Sequence, residues 1–278
     1  MSLPNDFLFS QSNLQDFETC PRRFELRYLR RLSWPAVEAE PIQEAEHLAR
    51  LGTDFHRLVY QHLIGIDAAS LTASLEHEPE LKTWWRNYLE HRPGSLRDAQ
   101  NFPELTLSTP LRGYRLTARF DLLAVQPNGT FLIIDWKTAR YKPSRPNLTR
   151  RIQTRAYPYV LTTAGTALNR GQAIDPSAIK MMYWYPQEPK NPEIFAYGPT
   201  EFQRDEQFLG NMIEQIKNAA YNNEFPLVEA DQPCQHCVYR SFCDRGEQAG
   251  SVLTLEVEPQ EALDASSLEW DQIAEIQF

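Results

Sequence analysis

The sequence has no apolar stretch long enough to cross a membrane and no leader pattern at its amino terminus. Among its 278 residues, no uninterrupted apolar run approaches the ~20 residues that span a bilayer. The first residues, MSLPNDFLFSQSN, lack the charged-then-apolar order of a secretory signal. We therefore expect a soluble, cytoplasmic protein with reduced thiols and no membrane partner.

Cysteine is scarce and unevenly placed. Of the four cysteines, Cys234, Cys237 and Cys243 lie within ten residues of one another, and Cys20 lies more than 200 residues away. Scattered intracellular cysteines are usually buried apolar residues, whereas thiolates at C-x₂-C spacing bind a soft metal. The candidates are a Cys₄ zinc site and a [4Fe–4S] cluster, either of which would join the N-terminal helix to the C-terminal segment. His236 is discounted as a ligand because four cysteines are available.

No internal repeat or low-complexity linker divides the chain. With 42% hydrophobic and 12% aromatic residues, the composition is that of a globular protein able to bury a full core. Residues 244–278 are acidic and only weakly patterned. We therefore expect one domain over residues 1–243, followed by an acidic C-terminal tail over residues 244–278.

The net charge of −9 disfavours nucleic acid as a partner, but the basic residues are clustered. One run has no acidic residue and contains Arg140, Lys142, Arg145, Arg150, Arg151 and Arg155. A second run extends from Arg22 to Arg31 and is interrupted only by Glu25. A solvated helix face explains either run alone, whereas two runs flanking a metal site favour a surface that binds phosphates.

A β-hairpin is the clearest local prediction. Two runs of β-branched and apolar residues, Tyr114–Val125 and Thr130–Ile134, flank the dipeptide Asn128-Gly129. Asn-Gly between two such runs is a strong hairpin signal.

Two carboxylates and a lysine interrupt these apolar runs. Asp121 lies in the first run, Asp135 ends the second, and Lys137 follows Asp135 by two residues. Residues two apart on a strand share a face, so Asp135 and Lys137 should project together, and hairpin pairing can bring Asp121 beside them. An isolated acid–base pair is usually a solvated salt bridge, but charges at the end of a buried strand need partners or a function. Such a group suits a hard divalent cation and the water that it activates.

Helical spacing predicts several elements around the hairpin. The predicted helices cover residues 42–64, 71–92, 148–161 and 201–221. His56 lies in the first of them, although a lone helical histidine is more often structural than a ligand. A strand containing Leu105, Leu107 and Leu111 would precede the hairpin, which puts Glu104 at the margin of the site.

Six short motifs occur in a fixed order between Leu8 and Cys243. They are Cys20-Pro21 after a helix, Gly52 to His56, Ala118 to Asp121, Ile134-Asp135-Trp136-Lys137, Gln153 with Tyr157, and Cys234, Cys237 and Cys243. In this order they resemble the PD-(D/E)XK nuclease superfamily, specifically its RecB-like branch with a four-cysteine cluster, to which CRISPR-associated nucleases belong. Each motif alone is a weak signal, but the six together are a strong one.

The resemblance implies a fold and a set of residue roles. The fold would be α/β, with a restriction-endonuclease-like mixed central β-sheet flanked by helices. His56, Asp121, Asp135 and the Trp136 carbonyl would hold Mg²⁺ or Mn²⁺, and Lys137 would orient the attacking water or stabilise the pentacovalent phosphate. Two further residues, Gln153 and Tyr157, would position the DNA strand, with Arg150 and Arg151 gripping neighbouring phosphates. Counting the resemblance, we expect the four cysteines to hold a [4Fe–4S] cluster rather than zinc.

Two functional hypotheses follow. The first is a metal-dependent DNA exonuclease that acts on single-stranded or duplex ends in repair, recombination or foreign-DNA processing, with a helicase or CRISPR-adaptation partner. The alternative is a non-catalytic DNA-binding or scaffold subunit of a helicase–nuclease complex. The combination of Asp121, Asp135 and Lys137 favours the first hypothesis, because a scaffold has no need of all three.

Overall fold

The computed structural model describes residues 3–32, 40–75, 78–230, 232–235 and 237–246. The helices are α1 (Gln11–Thr19), α2 (Pro21–Phe24), α3 (Glu40–Leu63), α4 (Ala68–Ala73), α5 (Pro79–His91), α6 (Arg145–Arg150), α7 (Ile152–Ala164) and α8 (Pro199–Asn222). The strands are β1 (Leu8–Ser10), β2 (Gln100–Leu111), β3 (Tyr114–Val125), β4 (Phe131–Trp136), β5 (Ile179–Trp184) and β6 (Glu193–Ala196). His236 and residues 247–278, most of the predicted acidic tail, lie outside the described residues. No helix in the described part is long and apolar enough to cross a membrane.

The strands form one mixed sheet in the order β1-β3-β4-β5-β6, with β2 also paired to β3. The β1–β3 and β4–β5 pairs are parallel, and the β2–β3, β3–β4 and β5–β6 pairs are antiparallel. Helices cover both faces of this sheet. The prediction of an α/β fold with a mixed central sheet flanked by helices is therefore confirmed.

The predicted hairpin is formed by β3 and β4. Gln126 donates its backbone N–H to the carbonyl of Thr130 at 2.8 Å, which closes the turn. Gly129 adopts a φ of +83°, a left-handed conformation that glycine reaches without steric cost. The Asn-Gly dipeptide therefore has the role that the sequence predicts.

Strand β3 is shared by three neighbours. One of its edges pairs with β2 along its whole length. The other edge is divided, because β1 pairs with Arg115–Thr117 and β4 pairs with Leu122–Val125. Residues 118–121 lie between these two partners, so Asp121 is at the point where β1 and β4 diverge.

Two apolar cores lie against the sheet. The first includes Leu14 of α1, Val160 of α7 and Ile213 of α8. The second includes Phe55 of α3 and Trp84 of α5. Since each core receives alternate residues of β4, the sheet separates the two helical layers.

The side-chain alternation of β3 changes phase at Asp121. Phe120 belongs to the first core, so strict alternation would also place Leu122 there. Leu122 instead belongs to the second core, and Leu123 belongs to the first. The strand therefore exchanges its inward and outward faces within one residue of the predicted catalytic aspartate.

Strand β2 changes phase at the same level. Phe102 and Leu105, an odd number of residues apart, both pack against the first core. Between them, Glu104 has a φ of +55°, in the left-handed region that a residue with a Cβ rarely occupies. The irregularity at Glu104 thus accompanies the change of phase in both strands.

Two predicted helices are each divided in the structure. The prediction of one helix over residues 148–161 is wrong, because Arg151 is extended (φ −58°, ψ 139°) between α6 and α7. Gln15 of α1 accepts a hydrogen bond from the N–H of Ile152 at 3.4 Å, which satisfies a donor at the new helix start. The single helix predicted over residues 71–92 is also divided, since α5 begins at Pro79 and a proline disfavours helical geometry in the residue before it.

Substitution of Gly165 should destabilise the fold. A Cβ at Gly165 would lie 2.5 Å from the carbonyl oxygen of Leu161 and 2.6 Å from Cδ1 of Ile174. We expect Gly165→Ala to lower the free energy of unfolding by about 1–3 kcal/mol, measured by urea denaturation. Gly94→Ala is the matched control, because nothing lies within 4 Å of its Cβ position and its stability should not fall. Equal stabilities for the two variants would contradict this packing.

Candidate active site

Three carboxylates lie side by side on neighbouring strands. The antiparallel register places Glu104 of β2 opposite Asp121 of β3, because the pairs on both sides of this position are formed. In the antiparallel β3–β4 pair, Leu122 lies opposite Ile134. The same register places the next pair, Asp121 and Asp135, opposite each other. We call Glu104, Asp121 and Asp135 the carboxylate row.

Asp121, the central member of the row, contacts both a helix and the next strand. Its Oδ1 lies 3.5 Å from Nδ1 of His56, which α3 brings over the sheet. Its Oδ2 accepts a hydrogen bond from the backbone N–H of Trp136 at 2.8 Å. Phe55, the residue before His56, is fully buried in the second core, and its packing fixes the position of α3 relative to the sheet.

Burial and mutual charge shift the pKa values of these groups. Burial acts to lower the pKa of His56, but the charge and hydrogen bond of Asp121, together with the charges of Asp135 and Glu104, raise the pKa to about 9. Burial likewise opposes ionisation of Asp121, yet His56 and the Trp136 N–H hold its pKa below the usual range. For Glu104, burial and the charge of Asp121 raise the pKa, although Arg119 opposes them. The imidazole and Asp121 therefore form a charged pair.

Asp135 is held by a lysine and an amide. Nζ of Lys137 lies 3.0 Å from Oδ2 of Asp135, and both side chains are buried. Gln153 of α7 donates a hydrogen bond from Nε2 to Oδ1 of Asp135. The backbone N–H of Lys137 donates to the carbonyl of Trp184 at 2.9 Å, so β5 fixes the lysine just beyond the end of β4. Asp135 and Lys137 thus project together, as the sequence predicts.

Two other predicted site residues contribute in different ways. The indole of Trp136 belongs to the second core, whereas its peptide group lies at the site through the hydrogen bond to Asp121. Tyr157 is 1% exposed and packs edge-on against the ring of Phe120, with 5.2 Å between ring centroids. Tyr157 is therefore part of the first core, one helical turn from Gln153.

The predicted DNA-binding run after β4 divides into two groups. Lys142 and Arg145 both form salt bridges with Glu193 of β6, each at 2.8 Å. The guanidinium of Arg155 lies 4.1 Å from the ring centroid of Phe208. The remaining members lie at the surface, with Arg140 and Arg150 exposed and Arg151 half-buried.

The basic run from Arg22 to Arg31 has a structural role that its sequence did not indicate. Arg22 and Arg30 form salt bridges with Glu25. Arg23 and Arg27 form salt bridges with Asp16 of α1, at 2.6 and 3.1 Å. The expectation that this run serves as a phosphate-binding surface is therefore not supported by the contacts of these four arginines.

The four cysteines form no disulfide, and Cys20 and Cys234 are buried. Burial raises the pKa values of Cys237 and Cys243, and the thiols of Cys20 and Cys234 shift both in the same direction. The hydroxyl of Tyr239 donates a hydrogen bond to the carbonyl of Leu32 at 3.0 Å, which ties the C-terminal segment to the N-terminal one.

The donor set around Asp121 fits a divalent cation. A ring nitrogen of His56 and one carboxylate oxygen each of Glu104 and Asp121 all lie within 4.8 Å of one another. Nε2 of His56 is buried and has no hydrogen-bond partner in the part of the chain that the structure describes. One imidazole and several carboxylates are ligands that Mg²⁺ and Mn²⁺ accept. Sequence reasoning placed Glu104 only at the margin of this group, because its signal was a single acid in an apolar strand.

The chain matches a known protein family over most of its length. The family model for the PD-(D/E)XK nuclease superfamily matches residues 8–244. No curated protein gives a significant match. Similar solved structures include a candidate exonuclease from Eubacterium rectale (12% identity, TM-score 0.49), in an alignment that covers 82% of this chain and 87% of that one. Another is SSO0001 (14% identity, TM-score 0.42), with 87% of each chain covered.

The pairing of His56 with Asp121 predicts a measurable titration. In chelator-treated protein, the His56 ring should remain protonated up to about pH 9, because the Asp121 carboxylate stabilises the imidazolium. Added Mn²⁺ or Mg²⁺ should lower the midpoint, because the cation and the proton compete. Proton NMR of the imidazole C–H signals measures this for Mg²⁺, and His56→Gln assigns the signal by removing it. A midpoint at the ordinary value of 6.5 without cation would contradict the pairing.

Proposed function

The chain belongs to the PD-(D/E)XK nuclease superfamily, and from that premise we propose that it is a metal-dependent DNA exonuclease acting on single-stranded ends. Membership makes it a nuclease, that is, a hydrolase of phosphodiester bonds. One observation supports catalysis rather than DNA binding alone: His56, Asp121, Asp135 and Lys137 converge from α3, β3 and the end of β4. A scaffold subunit, the alternative, would not need a buried ammonium paired with a buried carboxylate, because the cost of removing both charges from water can exceed the energy of their attraction.

We assign the predicted cation ligands to the elements described above. His56, Asp121, Asp135 and the Trp136 carbonyl would hold Mg²⁺ or Mn²⁺. When bound, such a cation supplies an acidified water and neutralises charge that develops on the scissile phosphate. The hydrogen bond from the Trp136 N–H fixes one oxygen of Asp121, so the aspartate is pre-oriented before any ligand arrives.

Lys137 and Gln153 would act on the substrate side. The ammonium of Lys137, 3.0 Å from Asp135, is placed to orient the attacking water or to stabilise the pentacovalent phosphate. Gln153 fixes the other oxygen of Asp135, which restricts the aspartate to one rotamer. Tyr157, buried against Phe120, would support Gln153 by fixing α7 rather than by contacting DNA.

A single-stranded substrate is favoured by the loop after Lys137. Tyr141 in this loop is 62% exposed, although large aromatic side chains are usually buried. Lys142 and Arg145 anchor the loop to β6 through Glu193, so Tyr141 is presented on an ordered segment. An exposed ring beside basic residues can stack on an unpaired base, which a duplex does not offer.

The basic residues after β4 would bind the phosphates of the DNA strand on its way out of the site. We propose Arg140, Arg150 and Arg151 as the first phosphate contacts, because they lie at the surface on either side of the α6 start. Lys142, Arg145 and Arg155 would add positive charge to this surface from their present positions, with Lys142 and Arg145 still paired to Glu193.

We further propose that the chain belongs to the RecB-like branch and that Cys20, Cys234, Cys237 and Cys243 hold a [4Fe–4S] cluster, with structural zinc as the alternative. The proximity of the four thiols and the Tyr239–Leu32 hydrogen bond support a centre that closes residues 1–243 into one domain. A role in repair, recombination or foreign-DNA processing, with a helicase or CRISPR-adaptation partner, fits this branch.

Removal of one catalytic side chain should abolish nuclease activity. With Mn²⁺ and an end-labelled single-stranded oligonucleotide, Asp135→Asn and Lys137→Met should each lower the rate at least about a hundredfold. Gel analysis of a time course, with single- and double-stranded substrates in parallel, measures the rate, the polarity and the strand preference.

Surface variants provide matched controls for this assay. Glu214→Gln and Lys217→Met each remove one charge from a half-buried pair on α8, outside the site, so both should digest DNA at the wild-type rate. Equal background activity in all five proteins would contradict catalysis and favour the scaffold alternative. Preferential digestion of duplex DNA would leave catalysis intact but overturn the single-strand proposal.

The metal held by the cysteines has a direct spectroscopic test. Protein purified without oxygen should be brown and absorb at about 400 nm, as thiolate-bound iron–sulfur clusters do. Cys20→Ser should bleach this band and lower the melting temperature, because the remote ligand closes a long loop. Colourless protein containing one zinc per chain would contradict the cluster while leaving the nuclease proposal in place.

A further inference from the structure

We propose that Glu104 is a ligand of the divalent cation, which would lie among His56, Glu104 and Asp121 on the β2 side of the carboxylate row. The proposal rests on the proposed function, since it presupposes that this site binds a cation. It adds a ligand from β2, an element that none of the six sequence motifs includes. Asp135 remains a ligand, beside Lys137 at the opposite end of the row.

Each outer carboxylate of the row has a basic partner. Asp135 contacts Lys137 at 3.0 Å and accepts a hydrogen bond from Gln153. Glu104 pairs with Arg119 and also contributes an oxygen to the group within 4.8 Å that includes His56 and Asp121. Ligand atoms at that mutual spacing can close on one ion at ordinary metal–oxygen distances with small side-chain rotations.

The backbone at Glu104 is unfavourable for a residue with no function there. Glu104 has a left-handed backbone, which brings the Cβ of a non-glycine residue too close to the following carbonyl oxygen. Like charges directly opposite each other on neighbouring strands, as Glu104 and Asp121 are, destabilise a sheet further. Residues kept in such conformations cluster at ligand-binding sites, where the surrounding structure holds them in place. A cation between the two carboxylates would turn their repulsion into attraction.

Arg119 is placed to orient Glu104. Its Nε lies 2.7 Å from Oε2 of Glu104, and it precedes Asp121 by two residues on β3. The guanidinium fixes one oxygen of the glutamate, and the cation would take the other. Arg119 would thus be a positioning residue that keeps Glu104 directed across β3.

Cation binding without DNA tests the proposal directly. Isothermal titration of MnCl₂ into chelator-treated, full-length protein should give a Kd for Glu104→Gln at least about tenfold weaker than that of the wild type. Glu214→Gln, which removes a carboxylate from a surface pair, should bind Mn²⁺ like the wild type. Thermal melting without metal verifies that each variant is folded.

A second variant guards against a folding defect. Glu104→Asn also removes the charge, and asparagine tolerates the left-handed conformation better than most residues. Weaker binding in both folded variants supports the proposal. Wild-type affinity in either folded variant would overturn it while leaving the nuclease assignment in place. Absence of Mn²⁺ binding by the wild-type protein would overturn both, so the two failures are distinguishable.

Discussion

The carboxylate row is the constraint on which the site depends. Glu104, Asp121 and Asp135 occupy facing positions on three adjacent strands, so their charges repel one another across the sheet. The sequence places a compensating group at each member: Arg119 beside Glu104, His56 and the Trp136 N–H beside Asp121, and Lys137 with Gln153 beside Asp135. A divalent cation that displaces the proton of His56 would add one net positive charge to the row.

Irregularities in strands β2 and β3 make the carboxylate row possible. On one edge of β3, pairing passes from β1 to β4 next to Asp121, and the side-chain alternation changes phase there. A regular β3 would have kept Phe120 and Leu122 on one face. Instead, Phe120 packs in the first core, and Leu122, two residues later, packs in the second core on the side of α3. The histidine and the glutamine, carried by helices on opposite faces, can therefore both reach the row.

Much of this arrangement could be predicted from local patterns, because short-range chemistry determines it. Asn128-Gly129 specified the hairpin, and the two-residue spacing of Asp135 and Lys137 placed them together. The left-handed backbone of Glu104 could not be predicted, because nothing in an alternating apolar strand marks a change of phase. The roles of the arginines between residues 22 and 31 could not be predicted either. Their salt bridges with Asp16 and Glu25 depend on the packing of α1 against α2.

The most direct test of this account is anomalous diffraction at the manganese edge from crystals soaked in Mn²⁺. The account predicts a peak within about 2.0–2.6 Å of a ring nitrogen of His56 and of carboxylate oxygens from the carboxylate row, Asp121 among them. A crystal whose manganese lies only elsewhere, for example at Glu193, with no peak at the carboxylate row, would contradict it.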